Sequence, residues 1–427
     1  AEAGATVKVY DGSTRIATVT ADSGGHWTYG VTGLANGAHS FAARQIDLAG
    51  NESGLSAAST MTVDTVAPSA PSLSASFVDS GASATDKITS ATTATLSGTA
   101  EAGATVKVYD VSTLIATVTA NSSGQWTHNA TGLADGAHSF TARQMDIAGN
   151  LSAASAARAM TVDTIVAAPS LAASFTDSGA SGTDKITNAS SAALSGVAEK
   201  GAPVQVFDGT TLIASVTANA STGAWSYNAT GLANGTHSFT ARQTDIAGNL
   251  SAASAASTMT VDTIVAAPGL LATFVDSGVS ATDKITSATT ATLSGTAEAG
   301  ATVKVYDGST RIATVTADSG GHWTYGVTGL ANGAHSFAAR QIDLAGNESG
   351  LSAASTMTVD TVAPSAPSLS ASFVDSGASA TDKITSATTA TLSGTAEAGA
   401  TVKVYDVSTL IATVTANSSG QWTHNAT

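Results

Sequence analysis

Hydrophobic and polar positions alternate with a period of two along most of the chain. Thr105–Tyr109 reads T-V-K-V-Y, which puts Val106 and Val108 on one face and Lys107 on the other. His138–Met145 alternates in the same way through Phe140, Ala142 and Gln144. Between residues 66 and 163 this pattern predicts strands at Leu73–Val78, Thr92–Gly98, Thr105–Tyr109 and Leu114–Thr119. A Ser123-Gly124 turn then leads into a strand carrying Trp126, followed by His138–Met145 and Ala156–Val162. Seven short strands with turn signals every 8–12 residues or so are the pattern of an immunoglobulin-like sandwich. Helix is disfavoured because β-branched Thr and Val, stiff at χ1, fill the periodic stretches, and no apolar stripe of helical period lasts ten residues.

The pattern recurs. Trp27, Trp126, Trp225, Trp323 and Trp422 are the only tryptophans, at intervals of 98 or 99 residues. Glu2, Glu101, Glu199, Glu298 and Glu397 keep the same register, as do Asp64, Asp163, Asp262 and Asp360, each within V-D-T. Residues 297–427 repeat residues 1–131 letter for letter, three repeats apart, the mark of a recently duplicated block. The expected organisation is three complete repeats, 66–163, 164–262 and 263–361, flanked by partial repeats at 1–65 and 362–427. The fold class is therefore all-β: tandem immunoglobulin-like sandwiches of 98–99 residues arranged as an extended rod. At roughly 40 Å per sandwich the rod would measure about 170 Å.

Composition narrows the function. A formal charge of −15 argues against a basic face for nucleic acid or for an anionic membrane. No apolar run approaches the ~18 residues of a membrane helix, so no membrane insertion is expected. The absence of Cys removes disulfides and thiolate metal sites. With neither an initiator Met nor a signal peptide, the chain is expected to be a segment of something longer.

Three strings carry a family resemblance. They are Ser97-Gly98-Thr99-Ala100-Glu101-Ala102-Gly103-Ala104-Thr105-Val106, Asp146-Ile147-Ala148-Gly149-Asn150-Leu151-Ser152, and Val162-Asp163-Thr164 before a Pro-containing linker. Together they resemble the bacterial immunoglobulin-like (BIg) repeats of giant surface adhesins, over essentially the whole chain. The resemblance implies tandem sandwiches, secretion to a cell surface or matrix, and Ca²⁺ at the domain junctions. Linkers differ: V-A-P-S-A-P at Val66–Pro71, but I-V-A-A-P at Ile165–Pro169 and Ile264–Pro268, so linker geometry is expected to alternate.

The acidic residues fall at fixed positions in each repeat. In a seven-strand sandwich the loop after the second strand and the loop before the last lie where the domain begins. The loop after the first strand lies at the opposite end. Asp79, Asp86, Asp163, Glu199, Asp245 and Asn249 are thus expected to converge at one junction, and Asp177, Asp184, Asp262, Glu298, Asp343 and Asn347 at the next. The flanking junctions would hold Asp64, Glu101, Asp146 and Asn150 on one side, and Asp276, Asp283, Asp360 and Glu397 on the other. Oxygen donors of this number suit Ca²⁺, which takes six to eight at ~2.3–2.6 Å. Without a cation, each carboxylate pair would cost on the order of a few kcal/mol in intermediate dielectric. The competing reading is that D-S-G and D-x-A-G-N are turn formers whose Asp caps its own backbone. For the Asp after the third strand (Asp11, Asp110, Asp208, Asp307, Asp406), the turn reading is preferred.

Enzyme templates fail: there is no G-x-x-x-x-G-K-[ST], H-E-x-x-H or G-x-S-x-G. His39, His138, His237 and His335 recur once per repeat, which suits a hydrogen-bonded strand end better than zinc. Arg44, Arg143, Arg242 and Arg340 read as structural or surface cations, and the Trp as a core plug rather than a sugar platform. Repetition without specialisation suits a spacer. The expected function is the extender, or stalk, of a large secreted adhesin in cell adhesion or biofilm, stiffened by calcium and without catalysis. Alternatives are a repeat of an extracellular matrix filament, a carbohydrate- or receptor-binding module, or an accessory region of a surface hydrolase. The expected partners are adjacent repeats and like chains in a filament, with the host or surface ligand outside this segment.

Overall fold

In each complete repeat two sheets form, because the alternating strands have one apolar face each and bury it only against one another. The computed structural model describes residues 1–427 and contains strands but no helix, hence no helix long and apolar enough to cross a membrane. The chain divides into two compact units, one comprising Ala1–Ala173, Ala193–Tyr227 and Ser238–Ser257, the other Ser174–Ala192, Asn228–His237 and Thr258–Thr427.

The second repeat, in the first unit, shows the architecture. One sheet has three strands in the order Gln125–Thr131, Thr93–Thr99, Ser74–Ser76. The other has five: Ile88–Thr89, Arg158–Val162, Gly136–Met145, Thr105–Asp110 and Thr113–Thr119. The pairing is antiparallel except that Ile88–Thr89 runs parallel to Thr161–Val162. This eighth strand was not expected, since two residues show no periodicity. It carries the end of the Asp79–Lys87 loop across to the five-stranded sheet. The last residue of that loop, Lys87, has φ +63°, and its N–H is held by Asp79 Oδ2 at 3.1 Å.

Val106, Val108, Phe140 and Ala142 are fully buried, with Leu96, Met160 and Val162 around them and Trp126 4% exposed. The Trp lies in the core, as its position between turn and alternating strand implied. Gly98 is required beside it: an added Cβ would lie 2.0 Å from Ser72 O and 3.0 Å from the Trp126 ring. In the second unit the fourth repeat packs Leu293, Val303, Val305, Phe337 and Ala339 around Trp323 in the same way.

The partial first repeat tests how far local sequence decides structure. His322–Val327 forms a strand against Ala291–Thr296, whereas the identical residues 26–31 form none. Met61 is 48% exposed and its identical counterpart Met357 2%. The three-stranded sheet is what supplies the ladder and the cover.

Candidate functional site: the acidic junctions

The junctions around Asp163 and Asp262 are each assembled from four short segments. The first is the V-D-T end of one repeat, here Asp163. The second is the Glu loop of the next, where a tight turn between strands Ser191–Val197 and Pro203–Asp208 sets Glu199. The third is the D-x-A-G-N loop, in which Asn249 N donates to Asp245 Oδ1 at 2.7 Å. The Asn249 amide then donates to Asp245 Oδ2 and to the Asp163 carbonyl, both at 2.7 Å. Asn347 repeats the arrangement with Asp343 Oδ2 and Asp262 O, both at 2.8 Å, and Asn150 with Asp146 Oδ2 at 2.9 Å and Asp64 O at 3.0 Å. The fourth segment is the loop after the first strand. Ser80 Oγ donates to Ala247 O, and Ser178 Oγ to Ala345 O, each at 2.5 Å. There the backbones nearly touch: a Cβ on Gly81 would meet Ile246 O at 2.0 Å, and one on Gly179 would meet Leu344 O at 2.0 Å. This latch was not foreseen; its only trace in the sequence is the Ser-Gly of D-S-G.

The latch changes the electrostatics. Asp245 and Asp343 are 2% and 3% exposed, whereas Asp146, whose junction with Asp64 has no latch loop, is only half-buried. Asp262, Glu298 and Asp343 bring one carboxylate oxygen each within 4.8 Å of one another. Burial, followed by the charges of Asp343 and Asp262, pushes the Glu298 carboxyl above its ordinary range. Glu199 is raised likewise by burial, then Asp245, then Asp163. Asp146 is held below its ordinary range by the Asn150 side chain.

The remaining candidates divide. Asp86 lines a cleft of about 480 Å³ together with Glu199 and Asp245. Asp64, Glu101 and Asp146 line a similar cleft of about 370 Å³. Asp177 and Asp184 stand outside the three-carboxylate group because they cap their own loop, accepting from Lys185 N and Ile186 N. Asp79, Asp276 and Asp283 are engaged in the same manner. Asp79, Asp177 and Asp276 nevertheless each keep one buried carboxylate oxygen without a partner. Asp360 caps its linker through Val362 N at 2.9 Å. The donors at the two latched junctions are hard oxygens, a set that fits Ca²⁺ far better than a thiophilic metal.

Sequence reasoning missed the residue that orients the Glu loop. Gln144, Gln243 and Gln341 are 1–2% exposed. Their Oε1 atoms accept from Glu101, Glu199 and Glu298 N at 2.7, 2.6 and 2.7 Å. Their Nε2 groups donate to the linker carbonyls of Ser69, Ala167 and Ala266. The two linker types, unequal in length, thus present a carbonyl to the same amide. An inward-facing polar residue on an alternating strand was the available signal.

Asp110 corrects a sequence expectation. It does not cap a turn: its register opposite Phe140 sets it beside His138, where Oδ2 meets Nδ1 at 2.6 Å and Oδ1 accepts from Ser139 N. Asp11 and Asp307 pair with His39 and His335 in the same way. Arg143 and Arg242 are exposed, and none of the four strand arginines takes part in an ion pair.

The sequence profile described as "Bacterial Ig-like domain" matches residues 1–65, 67–164, 166–263, 265–361 and 363–427. The chain belongs to the bacterial Ig-like domain family. Among curated relatives of these Ig-like repeats, Exoglucanase B of Cellulomonas fimi is 36% identical over 271 residues, 60% of this chain and 23% of that protein. Exoglucanase A of the same organism is 41% identical over 124 residues, 28% of this chain and 13% of that protein. The Ig-like repeats therefore correspond to less than a quarter of either enzyme's length. Among solved structures, the fibronectin(III)-like modules of Clostridium thermocellum CbhA are 18% identical, covering 44% of this chain and 93% of theirs at a TM-score of 0.25.

Proposed function

We propose that these Ig-like repeats are an extracellular spacer, the extender segment of a large bacterial surface adhesin, with Ca²⁺ at the latched junctions setting its stiffness. The observation that carries this reading is the junction itself: the same Asn bridge and Ser latch recur at residues 163–249 and 262–347, Asp262, Glu298 and Asp343 gather at the second, and Glu199 feels Asp245 and Asp163 at the first. No repeat departs from its neighbours enough to hold a dedicated site, so length and stiffness are what repetition can supply. Calcium would replace mutual repulsion of the carboxylates by shared ligation, restricting the hinge. The test is small-angle scattering of the whole chain with millimolar Ca²⁺ and with chelator. The maximum dimension should be larger in calcium, and that gain should vanish in Asp163→Ala combined with Glu199→Ala. Equal dimensions in both buffers would refute calcium stiffening.

A second reading has a specific observation behind it. The two similar cellulomonad proteins are named exoglucanases, so such repeats also occur beside catalytic domains. In that setting the same spacer would hold a secreted hydrolase away from its anchor or its substrate-binding module. Both readings place the repeats outside the cell.

A further inference from the structure

We propose that each of the first four repeats contains a protonation lock: an imidazolium at the far end of the sandwich fixes the loop that anchors the linker beside the junction carboxylates. The inference goes beyond calcium binding and names a regulator of the same junction, so it rests on the junction being the hinge.

The geometry begins at the ring. His138 Nδ1 meets Asp110 Oδ2 at 2.6 Å and its Nε2 meets Ala134 O at 2.8 Å. A carbonyl oxygen only accepts, and an ionised carboxylate only accepts, so both ring nitrogens must carry a proton. A neutral ring would turn one lone pair against an oxygen. His335 is held identically by Asp307 at 2.6 Å and Ala331 O at 2.8 Å, and His39 by Asp11 at 2.5 Å and Ala35 O at 2.8 Å. His237 meets Ala233 O at 2.9 Å. The rings are largely covered and stack on the next aromatic of the strand, His138 on Phe140 with centroids 5.9 Å apart.

From the ring the restraint passes to the linker. Ala134 lies in the same loop as Asp135, whose Oδ1 accepts from Thr164 N at 2.9 Å and Thr164 Oγ1 at 2.8 Å. Thr164 directly follows Asp163, the junction carboxylate. Asn36, Asn234 and Asn332 hold Thr65, Thr263 and Thr361 in the same way, next to Asp64, Asp262 and Asp360. The loop is thus pinned at one end by the imidazolium and pins the linker at the other.

The charged residues around His138 are few. Its own strand carries Arg143, the neighbouring strands carry Lys107, Asp110 and Arg158, and Lys87 precedes Ile88–Thr89. The facing sheet contributes one titratable side chain, His128, and the loop contributes Asp135. Asp110 is the one that touches the ring. The His138 titration is raised: burial opposes protonation, but the Ala134 carbonyl and then Asp110 favour it and prevail. A folded-state value above the unfolded one means the lock is fully closed below the unfolded value and opens as pH rises through the folded value.

The experiment uses the whole chain in chelator, so that a junction binding no calcium leaves the pH response readable. Ring ¹⁵N shifts follow each histidine from pH 5.5 to 9.5. Spin labels on Thr117→Cys and Ser215→Cys, both exposed in a chain without native Cys, report the width of the distance distribution across the junction. His138 should remain doubly protonated above the ordinary ~6.5, and the distribution should broaden as that ring deprotonates. Asp135→Ala should keep the raised titration but abolish the pH step in width, because it cuts the link without touching the ring. A ring titrating at or below its ordinary value would overturn the lock. So would a width that ignores the titration in the unmutated loop.

Discussion

Gly179→Ala attacks the latch without touching a carboxylate. An alanine there must hold φ +93°, in a region that L side chains rarely adopt, and its Cβ would lie 2.0 Å from Leu344 O. The conformational cost is about 1–2 kcal/mol. Relieving the contact requires the loop to withdraw by more than an ångström, which breaks the Ser178–Ala345 hydrogen bond at a further ~0.5–1.5 kcal/mol. Gly278 is the internal control. It has φ +106° and no atom within 4 Å of its Cβ, so Gly278→Ala should incur the conformational term alone. The latch covers Ala345, which is fully buried, so its loss should expose that segment. Amide exchange read by mass spectrometry on the peptide spanning residues 343–349 should accelerate in Gly179→Ala and be unchanged in Gly278→Ala. Equal protection of that peptide in the two variants would refute the latch.

Two further outcomes follow from the same geometry. Glu199 and Glu298 have raised carboxyl titrations, so their ionisation opposes folding; in chelator the junctions should gain stability as pH falls from 7 through the carboxylate range. Excess calcium should reverse the sign of that slope, because the bound form requires ionised ligands; thermal melting against pH in both buffers reads it, and parallel slopes would count against cation binding. Phe140→Ala, which removes a fully buried ring from the second repeat, should destabilise that repeat by about 3–5 kcal/mol in denaturant unfolding while leaving the fourth repeat's transition in place.

The all-β class was legible because period-two alternation and the Trp interval are properties of the letters themselves. The topology of a sandwich was then enough to bring Asp163, Glu199 and Asp245 to one place. Other features were not legible, for identifiable reasons. Ile88–Thr89 is too short to show a period, and its partner is 73 residues away in the sequence at Thr161–Val162. The Ser80 and Gly81 latch depends on a backbone approach that any D-S-G turn could lack. Asp110 looks like a turn residue until the register sets it beside His138. Residues 26–31 and 322–327 have the same letters, yet a strand forms only where its neighbour is present; propensity there yields to tertiary pairing.

The most direct measurement is an isothermal calcium titration of the whole chain, run beside Glu298→Gln combined with Asp262→Asn. Saturable binding is predicted for the unaltered chain, with the double variant losing the sites at its own junction and keeping those around Asp163, Glu199 and Asp245. The melting temperature should rise with calcium in step with occupancy. No heat of binding in the unaltered chain, and identical melting in calcium and chelator, would contradict the calcium junction and leave the repeats held by the latch and the Asn bridges alone.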